Sequence, residues 1–408
     1  MSYISNKTAV QTIASQINSF QTRAREFLIG AKYAMVYSHE EKMLIALPPE
    51  NALSAQFSHA TDYASGVFEG SSAMVNERTG VPHVILLEAR SKRLFKRSLP
   101  ARGYASPVSR EIFNQAVMDI VAINGISLFN NPNPQNKNKY ARAYIRPTIH
   151  PAPLEGYGIS MRKNYPINAA IIAWTWPDYF NPDLYTQGAV AAITGHQRLF
   201  PITGKHASNY GAAVKDGNLA RDLGSDELIY LAPYLINAQG TTYWADPGDV
   251  DKKLRDGVVS DGPGEEYLAL TSDLKTLIYA PMRVNRLGGT VLQYIIDHLA
   301  KNIGLETKEA DITLHDLRGK KYAAVCMVGN AVKVTPVRQI NCYKHGKIIE
   351  TIELFTKGNI SQPLNMLIER WDKETRGLID PSHPSLTSSV DLSKGTQIRE
   401  LLDKIYYS

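Results

Sequence analysis

The sequence predicts an α+β protein of two domains, and three observations carry that expectation. The chain has 408 residues, more than one hydrophobic core usually serves. Between Pro177 and Gly188, Pro177, Asn181 and Pro182 interrupt regular structure and mark a boundary,. On both sides of it, strand-like apolar runs accompany longer stretches of helical period,. The expected division is a smaller N-terminal α+β domain over residues 1–176, an interdomain loop over 177–188 and a larger domain over 189–408.

Each element has its own warrant. No acid precedes Glu26, and Ala9, Ile13, Ile17 and Phe20 fall on one helical face,. That segment reads as an amphipathic surface helix, although an organelle transit peptide shares the composition; no secretory apolar run is read in it. A helix is expected from about Ser106-Pro107, with Ile112, Phe113, Ala116, Val117, Ile120 and Val121 on its buried face,. Asn130 to Lys139 has turn chemistry throughout and predicts an exposed loop,. Strands are expected at Tyr140 to Ile149, Ala169 to Trp174 and Ala189 to Thr194,.

In the second half, Val291 to Ile303 carries Leu292, Ile295, Ile296, Leu299 and Ile303 on one stripe and stops at Gly304,. Tyr234 to Gly257 reads as an insertion: Gly240, Pro247 and Gly248 interrupt it, and Lys252, Lys253 and Arg255 predict that it is solvated,. Past Ile340, the C-terminal extension offers a helix around Pro363 to Trp371 and a Ser/Thr-rich linker from Ser382 to Ser389.

Composition narrows the function. An apolar fraction of 44% with 21% charged residues excludes a fibrous or wholly disordered chain,. The net charge of +6 is spread along the sequence, so it predicts anionic small-molecule ligands and no nucleic-acid partner. No run is read as the ~18 apolar residues of a membrane span, so no membrane is expected. Two cysteines, Cys326 and Cys342, match neither a disulfide framework nor a metal spacing, and point to a reducing, cytoplasmic compartment. The ten histidines show no paired spacing, so no metal is expected,. His59 and His206 are read as structural.

The most informative stretch is PITGKHASNYGAAVKDGNLARDLG, from Pro201. Lys205 lies in a turn-rich segment just ahead of an Ala-rich helix that ends at Gly224. An amine held among small residues at a helix start is partly desolvated, and the local amide dipoles disfavour its cation. Both effects lower its pKa towards the nucleophilic free base.

Five further segments accompany GKHASNY: SHATDYASGVFEG (Ser58 to Gly70), KRL (Lys92 to Leu94), YIRP (Tyr144 to Pro147), SDGPGEE (Ser260 to Glu266) and VGNAVKVTPV (Val328 to Val337). In this order and spacing they resemble the branched-chain aminotransferase family among the fold type IV, D-amino-acid-transaminase-like, pyridoxal 5'-phosphate enzymes. The resemblance covers roughly Phe57 to Ile340. It implies a small α/β domain and a larger pseudo-barrel domain with the cofactor between them, usually in a homodimer whose partner loop completes the pocket.

Residue by residue, the resemblance makes Lys205 the Schiff-base lysine and proton carrier, from its lysine-x-x-x-Asn-Tyr pattern. Tyr210 corresponds to the tyrosine on the cofactor's phenolic oxygen. Asp261 stands where the family has a glutamate on the pyridine nitrogen, one methylene shorter, with Glu265 as the fallback. Arg93 matches the phosphate arginine, and the turn LGGTVL would offer the amides of Val291 and Leu292. The family's threonine and arginine in that turn are Leu292 and Gln293 here, and Asn330 replaces the threonine of the Gly-Thr-Ala turn. For the substrate, Tyr144 with Asn330 and Ala331 would receive the α-carboxylate and Arg146 a second carboxylate. Phe68 and Tyr63 would wall the apolar side-chain pocket.

The implied reaction is ping-pong transfer of the amino group between leucine, isoleucine or valine and 2-oxoglutarate. Three alternatives stay open: a transaminase for another apolar or aromatic amino acid, a class IV lyase, and a degenerate cofactor-binding scaffold.

Overall fold

A computed structural model describes residues 28–52, 63–131, 138–152, 166–176, 178–198, 204–246 and 248–407. The expected N-terminal helix, most of the loop at 130–139, and His59 lie outside the described residues.

The first half builds one antiparallel sheet. β1 (Ala34–Ser38), β2 (Met43–Leu47), β3 (Val67–Phe68), β4 (Ser71–Val75) and β5 (Pro82–Ile85) come first. Helix α1 (Leu87–Arg93) follows and continues through a π-helical turn, Leu94–Ser98, and a last turn, Leu99–Arg102. Then come α2 (Arg110–Asn124) and the long strands β6 (Arg142–Pro151) and β7 (Ile167–Trp176). In space the order is β5-β4-β6-β7-β1-β2, with β3 also paired to β6. β6 and β7 pair over their full lengths, from Arg142↔Trp176 to Pro151↔Ile167. The two-residue period of a strand sets Arg142, Tyr144 and Arg146 on one face of β6.

The Ser109 hydroxyl caps α2 by accepting from the Ile112 amide,. Phe113, Ala116, Val117, Ile120 and Val121 are buried in the first core as expected, each contributing about 1.5–3 kcal/mol for the larger side chains. Ile112, in the first turn, is instead 55% exposed: the helix starts after Ser109, and its core contacts begin at Phe113. Arg110–Phe129 is also long and apolar enough to cross a membrane, contrary to the reading of the sequence alone. Of its apolar window 67% is buried within this fold, as befits a core helix.

The second half opens with α3 (Leu184–Gln187), β8 (Ala189–Ile193), α4 (Ala207–Asp222), β9 (Glu227–Leu228), β10 (Leu231–Ile236), β11 (Thr242–Trp244), α5 (Val250–Asp256) and β12 (Gly257–Val259). It continues with β13 (Glu266–Thr271), β14 (Thr276–Tyr279), α6 (Thr290–Tyr294, running on through Ile295–Leu299 and Ala300–Asn302), β15 (Glu306–Glu309) and α7 (Leu314–Arg318). The hairpin strands β16 (Tyr322–Gly329), β17 (Lys333–Lys344) and β18 (Lys347–Glu353) complete it. The main sheet runs β15-β14-β13-β16-β17-β8-β9, with β18 also on β17.

β10, β11 and β12 form a separate three-stranded sheet. The segment expected to be a solvated insertion therefore belongs partly to this sheet. Lys253, on α5, is buried rather than solvated, because α5 lies against the sheet and sinks Leu254 into the core.

In the tail, α8 (Gln362–Thr375) buries Leu364, Leu367 and Trp371 against Leu292, Ile295 and Leu299 of the α6 helix. The expected Ser/Thr linker is a strand at its end: β19 (Thr387–Ser389) pairs antiparallel with β5, Thr387 opposite Ile85. Leu386 is fully buried, and its carbonyl accepts from the Leu86 amide at 2.7 Å. α9 (Leu392–Tyr406), capped by Asp391, then packs on α2. The tail thereby adds an edge to the first sheet.

Candidate active site

A cavity of about 450 Å³ lies where the two large sheets face each other, and Lys205 is on its wall. Lys205 sits one residue before the His206 cap of α4. Its amide donates to Ser98 Oγ at 2.9 Å, and its carbonyl accepts from the Phe68 amide at 3.2 Å. Gly204 permits this close approach, since a Cβ there would lie 2.5 Å from the Ser98 Cα. The backbone of the lysine is thus clamped from both sides before its side chain is considered.

The amine is buried. Nζ donates to Tyr210 Oη at 2.5 Å and lies 4.8 Å from the centre of the Phe68 ring. Burial lowers its pKa well below the ordinary lysine value; nearby Glu69 opposes this, while Arg93, Arg146 and Arg198 reinforce it. These influences shift the amine towards the free base that a nucleophile needs,. Burial likewise raises Tyr210 to about 12, so its phenol stays protonated and can donate. His206 is buried, with Nε2 3.3 Å from the Ser98 carbonyl, a structural placement.

Asp261 is fully enclosed. Arg198 Nε donates to its Oδ1 at 3.0 Å and the Leu287 amide to its Oδ2 at 3.3 Å. Burial raises it to about 6 despite the attraction of Arg198, so at neutral pH it is a carboxylate. Glu265 also lines the cavity, but burial and the neighbouring Glu227 push its carboxyl well above the usual range. Its oxygens receive the Gly264 amide at 3.0 Å and the Tyr267 hydroxyl at 3.4 Å.

Arg93 forms a bidentate pair with Glu69, at 2.8 and 2.7 Å, and donates to the Gly288 carbonyl at 3.3 Å. Desolvation is the largest influence on Glu69, yet the charge and hydrogen bonds of Arg93, with help from Lys205 and Arg90, hold it below the usual glutamate range. The adjoining turn is pinned by Glu266, which accepts from the amides of Gly288 (3.0 Å) and Gly289 (2.5 Å) and pairs with Arg286 at 2.8 Å. A Cβ on Gly289 would collide with that carboxylate.

The first bond inside the following helix runs from Gln293 N–H to Gly289 O. The amides of residues 290 to 292 thus begin the helix without a partner inside it. The sequence placed the amide donors at Val291 and Leu292. The wall holds Val291, as expected, with Gly289 and Thr290 before it, while the Leu292 side chain is in the hydrophobic core. The turn reaches the cavity two residues earlier because its own glycine is the N-cap.

Phe68, Tyr144, Arg146, Asn330 and Ala331 all line the cavity. Arg146 donates to Tyr144 Oη at 2.8 Å and stacks 4.6 Å from the Phe68 ring centre. Tyr63, expected in the same wall, is 39% exposed and not among the lining residues of this chain. Among the described residues no group of three His, Cys, Asp or Glu is arranged to hold a metal.

Sequence reasoning missed Arg198, Glu69, Glu266 and Arg90. Glu69 stood inside a quoted motif, between Phe68 and Gly70, and an acid in an apolar run was the available signal. Arg198 gave none, since 63 residues separate it from Asp261.

No family model matches the chain. A probable branched-chain-amino-acid aminotransferase of Rickettsia bellii is 23% identical over 319 residues, covering 72% of this chain and 84% of the relative. Among solved structures, the branched-chain amino acid aminotransferase of Escherichia coli has a TM-score of 0.63 at 23% identity, covering 85% of this chain and 94% of its own. A Thermoproteus uzoniensis counterpart, solved with norvaline, has a TM-score of 0.64 at 21% identity, covering 88% and 100%. That of Thermobaculum terrenum, solved in its PLP-bound holo-form, has a TM-score of 0.64 at 16% identity, covering 88% and 99%. The resemblance read from the six motifs is borne out, and the chain carries the fold type IV architecture of the branched-chain aminotransferases.

Proposed function

We propose that this protein is a pyridoxal-phosphate-dependent aminotransferase that moves the amino group between branched-chain L-amino acids and 2-oxoglutarate in two half-reactions. The observation that carries the reading is the buried Lys205 amine, its pKa lowered by that burial, beside the Tyr210 phenol, with the Asp261 carboxylate in the same cavity.

The donor set suits the cofactor. Lys205 would hold its aldehyde carbon, Tyr210 its phenolic oxygen and Asp261 its protonated ring nitrogen. Arg93, the amides at Thr290 and Val291, and Asn330 would hold its phosphate. The buried Asn330 Nδ2 has no partner among the described residues, which is a deficit that an anionic ligand relieves. The bound cofactor supplies an electron sink for the pair released when the Cα–H bond of the amino acid breaks.

The chain's own groups do the rest. Lys205, a free base once the substrate amine has taken its place, would accept the proton from Cα and give it back to complete each half-reaction. Tyr144 and the turn at Asn330-Ala331 orient the α-carboxylate. Phe68 and Trp176 offer apolar wall to the side chain, and Arg146, which contacts no carboxylate among the described residues, offers a cation to the second carboxylate of 2-oxoglutarate. The amino acid leaves as its 2-oxo acid and 2-oxoglutarate leaves as glutamate.

A homodimer in a cytoplasmic compartment belongs to the same proposal. Tyr63, exposed and away from its own cavity, supports a pocket completed by the partner's loop, and two buried free cysteines suit a reducing environment,. Borohydride reduction followed by peptide mapping tests the reading. A pyridoxyl adduct on Lys205, with leucine-dependent glutamate formation, is expected; binding without transfer would favour a lyase, and no adduct would refute the assignment.

A further inference from the structure

Besides Arg221, four arginines line the cavity, Arg90, Arg93, Arg146 and Arg198, and two more, Arg142 and Arg286, bond to residues of its wall; these six divide into two kinds. Arg93, Arg198 and Arg286 are each matched by a buried carboxylate, Glu69, Asp261 and Glu266. Arg90, Arg142 and Arg146 contact no carboxylate among the described residues. Arg90 and Arg142 are nevertheless buried, at 3% and 7% exposure.

Their partners converge on one place. Arg90 Nη2 donates to Asn330 Oδ1 at 3.0 Å, and its other donors go to the carbonyls of Ile85 and Gly70. Arg142 Nη1 donates to the Asn330 carbonyl at 2.6 Å and Nη2 to the Ala331 carbonyl at 3.4 Å, with its guanidinium 4.6 Å from the Trp176 ring centre. The Ser72 hydroxyl completes the set, donating to Asn330 Oδ1 at 3.0 Å. Because a guanidinium has only donors, the amide orientation of Asn330 is settled: its oxygen faces Arg90 and its nitrogen does not.

Glu69 attracts Arg90 and Asp178 attracts Arg142, but those carboxylates are already paired with Arg93 and Lys333, and burying a cation without a counter-charge of its own is costly. Two behind a single turn are a sign that the balancing charge arrives with the ligand. The carbonyl oxygens of Asn330 and Ala331 and the side-chain oxygen of Asn330 are thus taken up by Arg142, Arg90 and Ser72, which sets two positive charges against a turn that lines the cavity,.

We propose that Arg90 and Arg142 are positioning residues that make the Asn330-Ala331 turn a receptor for the carboxylate of the amino-acid and 2-oxo-acid substrates. The inference rests on the transaminase reading for the identity of the ligand, but not for the presence of a carboxylate site. Arg146 completes the same positive face of β6, one step further along the alternation Arg142, Tyr144, Arg146.

The test uses the full-length protein saturated with pyridoxal phosphate and two probes without an amino group, 4-methylvalerate and the uncharged 4-methylpentanol. Arg90→Met and Arg142→Met keep side-chain bulk and remove charge. Each is expected to weaken 4-methylvalerate about tenfold or more, with 4-methylpentanol and the cofactor titration unchanged within about twofold. Arg90→Lys and Arg142→Lys should recover part of the loss, which a packing role would not produce. If the Met variants do not fold, Arg90→Gln and Arg142→Gln, which keep a donor and remove the charge, must weaken the carboxylate selectively. Equal weakening of both probes, no weakening of either, or no binding of 4-methylvalerate by the unaltered protein overturns the proposal. Binding of 4-methylvalerate by a protein that transfers no amino group would refute the transaminase reading and leave the receptor standing.

Discussion

Glu69→Gln separates the structural and chemical duties of one buried pair. Glu69 and Arg93 are 1% and 7% exposed and share two hydrogen bonds of 2.7 and 2.8 Å. Removing one charge leaves Arg93 buried and uncompensated, a loss of about 3 kcal/mol; glutamine still accepts one bond, which places the cost at the low end of the range for broken buried pairs. The sign of the pH dependence follows from the direction of the shift. Glu69 is held below its ordinary value in the folded state, so its stabilisation is fully present above the unfolded glutamate pKa, about 4.3. It disappears as pH falls through the lower folded value. Urea unfolding at neutral pH should therefore show the full deficit, and the deficit should shrink only below about pH 4. The same change frees Arg93 for a phosphate, so the variant should bind inorganic phosphate more tightly while being less stable. A stability loss under about 0.5 kcal/mol, or one that persists undiminished in acid, would refute the argument.

Lys205→Ala should abolish the pyridoxyl adduct and lower leucine-to-2-oxoglutarate transfer by at least about 10³-fold, judged by glutamate release. Cofactor affinity should fall on the acid side with an inflection near pH 6, where Asp261 takes up its proton; Asp261→Asn should weaken binding and flatten that limb in a spectrophotometric titration. Arg146→Met should raise the KM for 2-oxoglutarate by about tenfold or more and change that for leucine much less, as initial-rate kinetics would show.

The chemistry was legible where its residues are local. Lys205 and Tyr210 lie five apart across a helix start, and the spacing alone brings them together. The alternation in Arg142, Tyr144 and Arg146 shows that they share a strand face, although it does not tell which partners they meet. Arg198 and Asp261, or Arg90 and Asn330, were illegible because tertiary folding unites them over 63 and 240 residues. Gly289 and Thr290 went unread because the glycine pair does not by itself tell where the helix starts; the Glu266 bonds to Gly288 and Gly289 pin the turn. β19 went unseen because Thr387, Ser388 and Ser389 lack apolar alternation; their place is fixed by pairing with β5 and by buried Leu386 and Val390 on either side.

That late strand has a consequence for biogenesis. On the ribosome, β5 emerges some three hundred residues before β19, its neighbour in the finished sheet. During most of synthesis the nascent chain therefore presents an open β5 edge, the kind of surface that recruits other strands. Leu86, which opens the helix carrying Arg90 and Arg93, likewise waits for the Leu386 carbonyl before its amide is satisfied. Polypeptides released early by a stop codon near residue 380 would retain most of the catalytic side chains yet expose that adhesive border, and inclusion bodies rather than sluggish enzyme would be their fate.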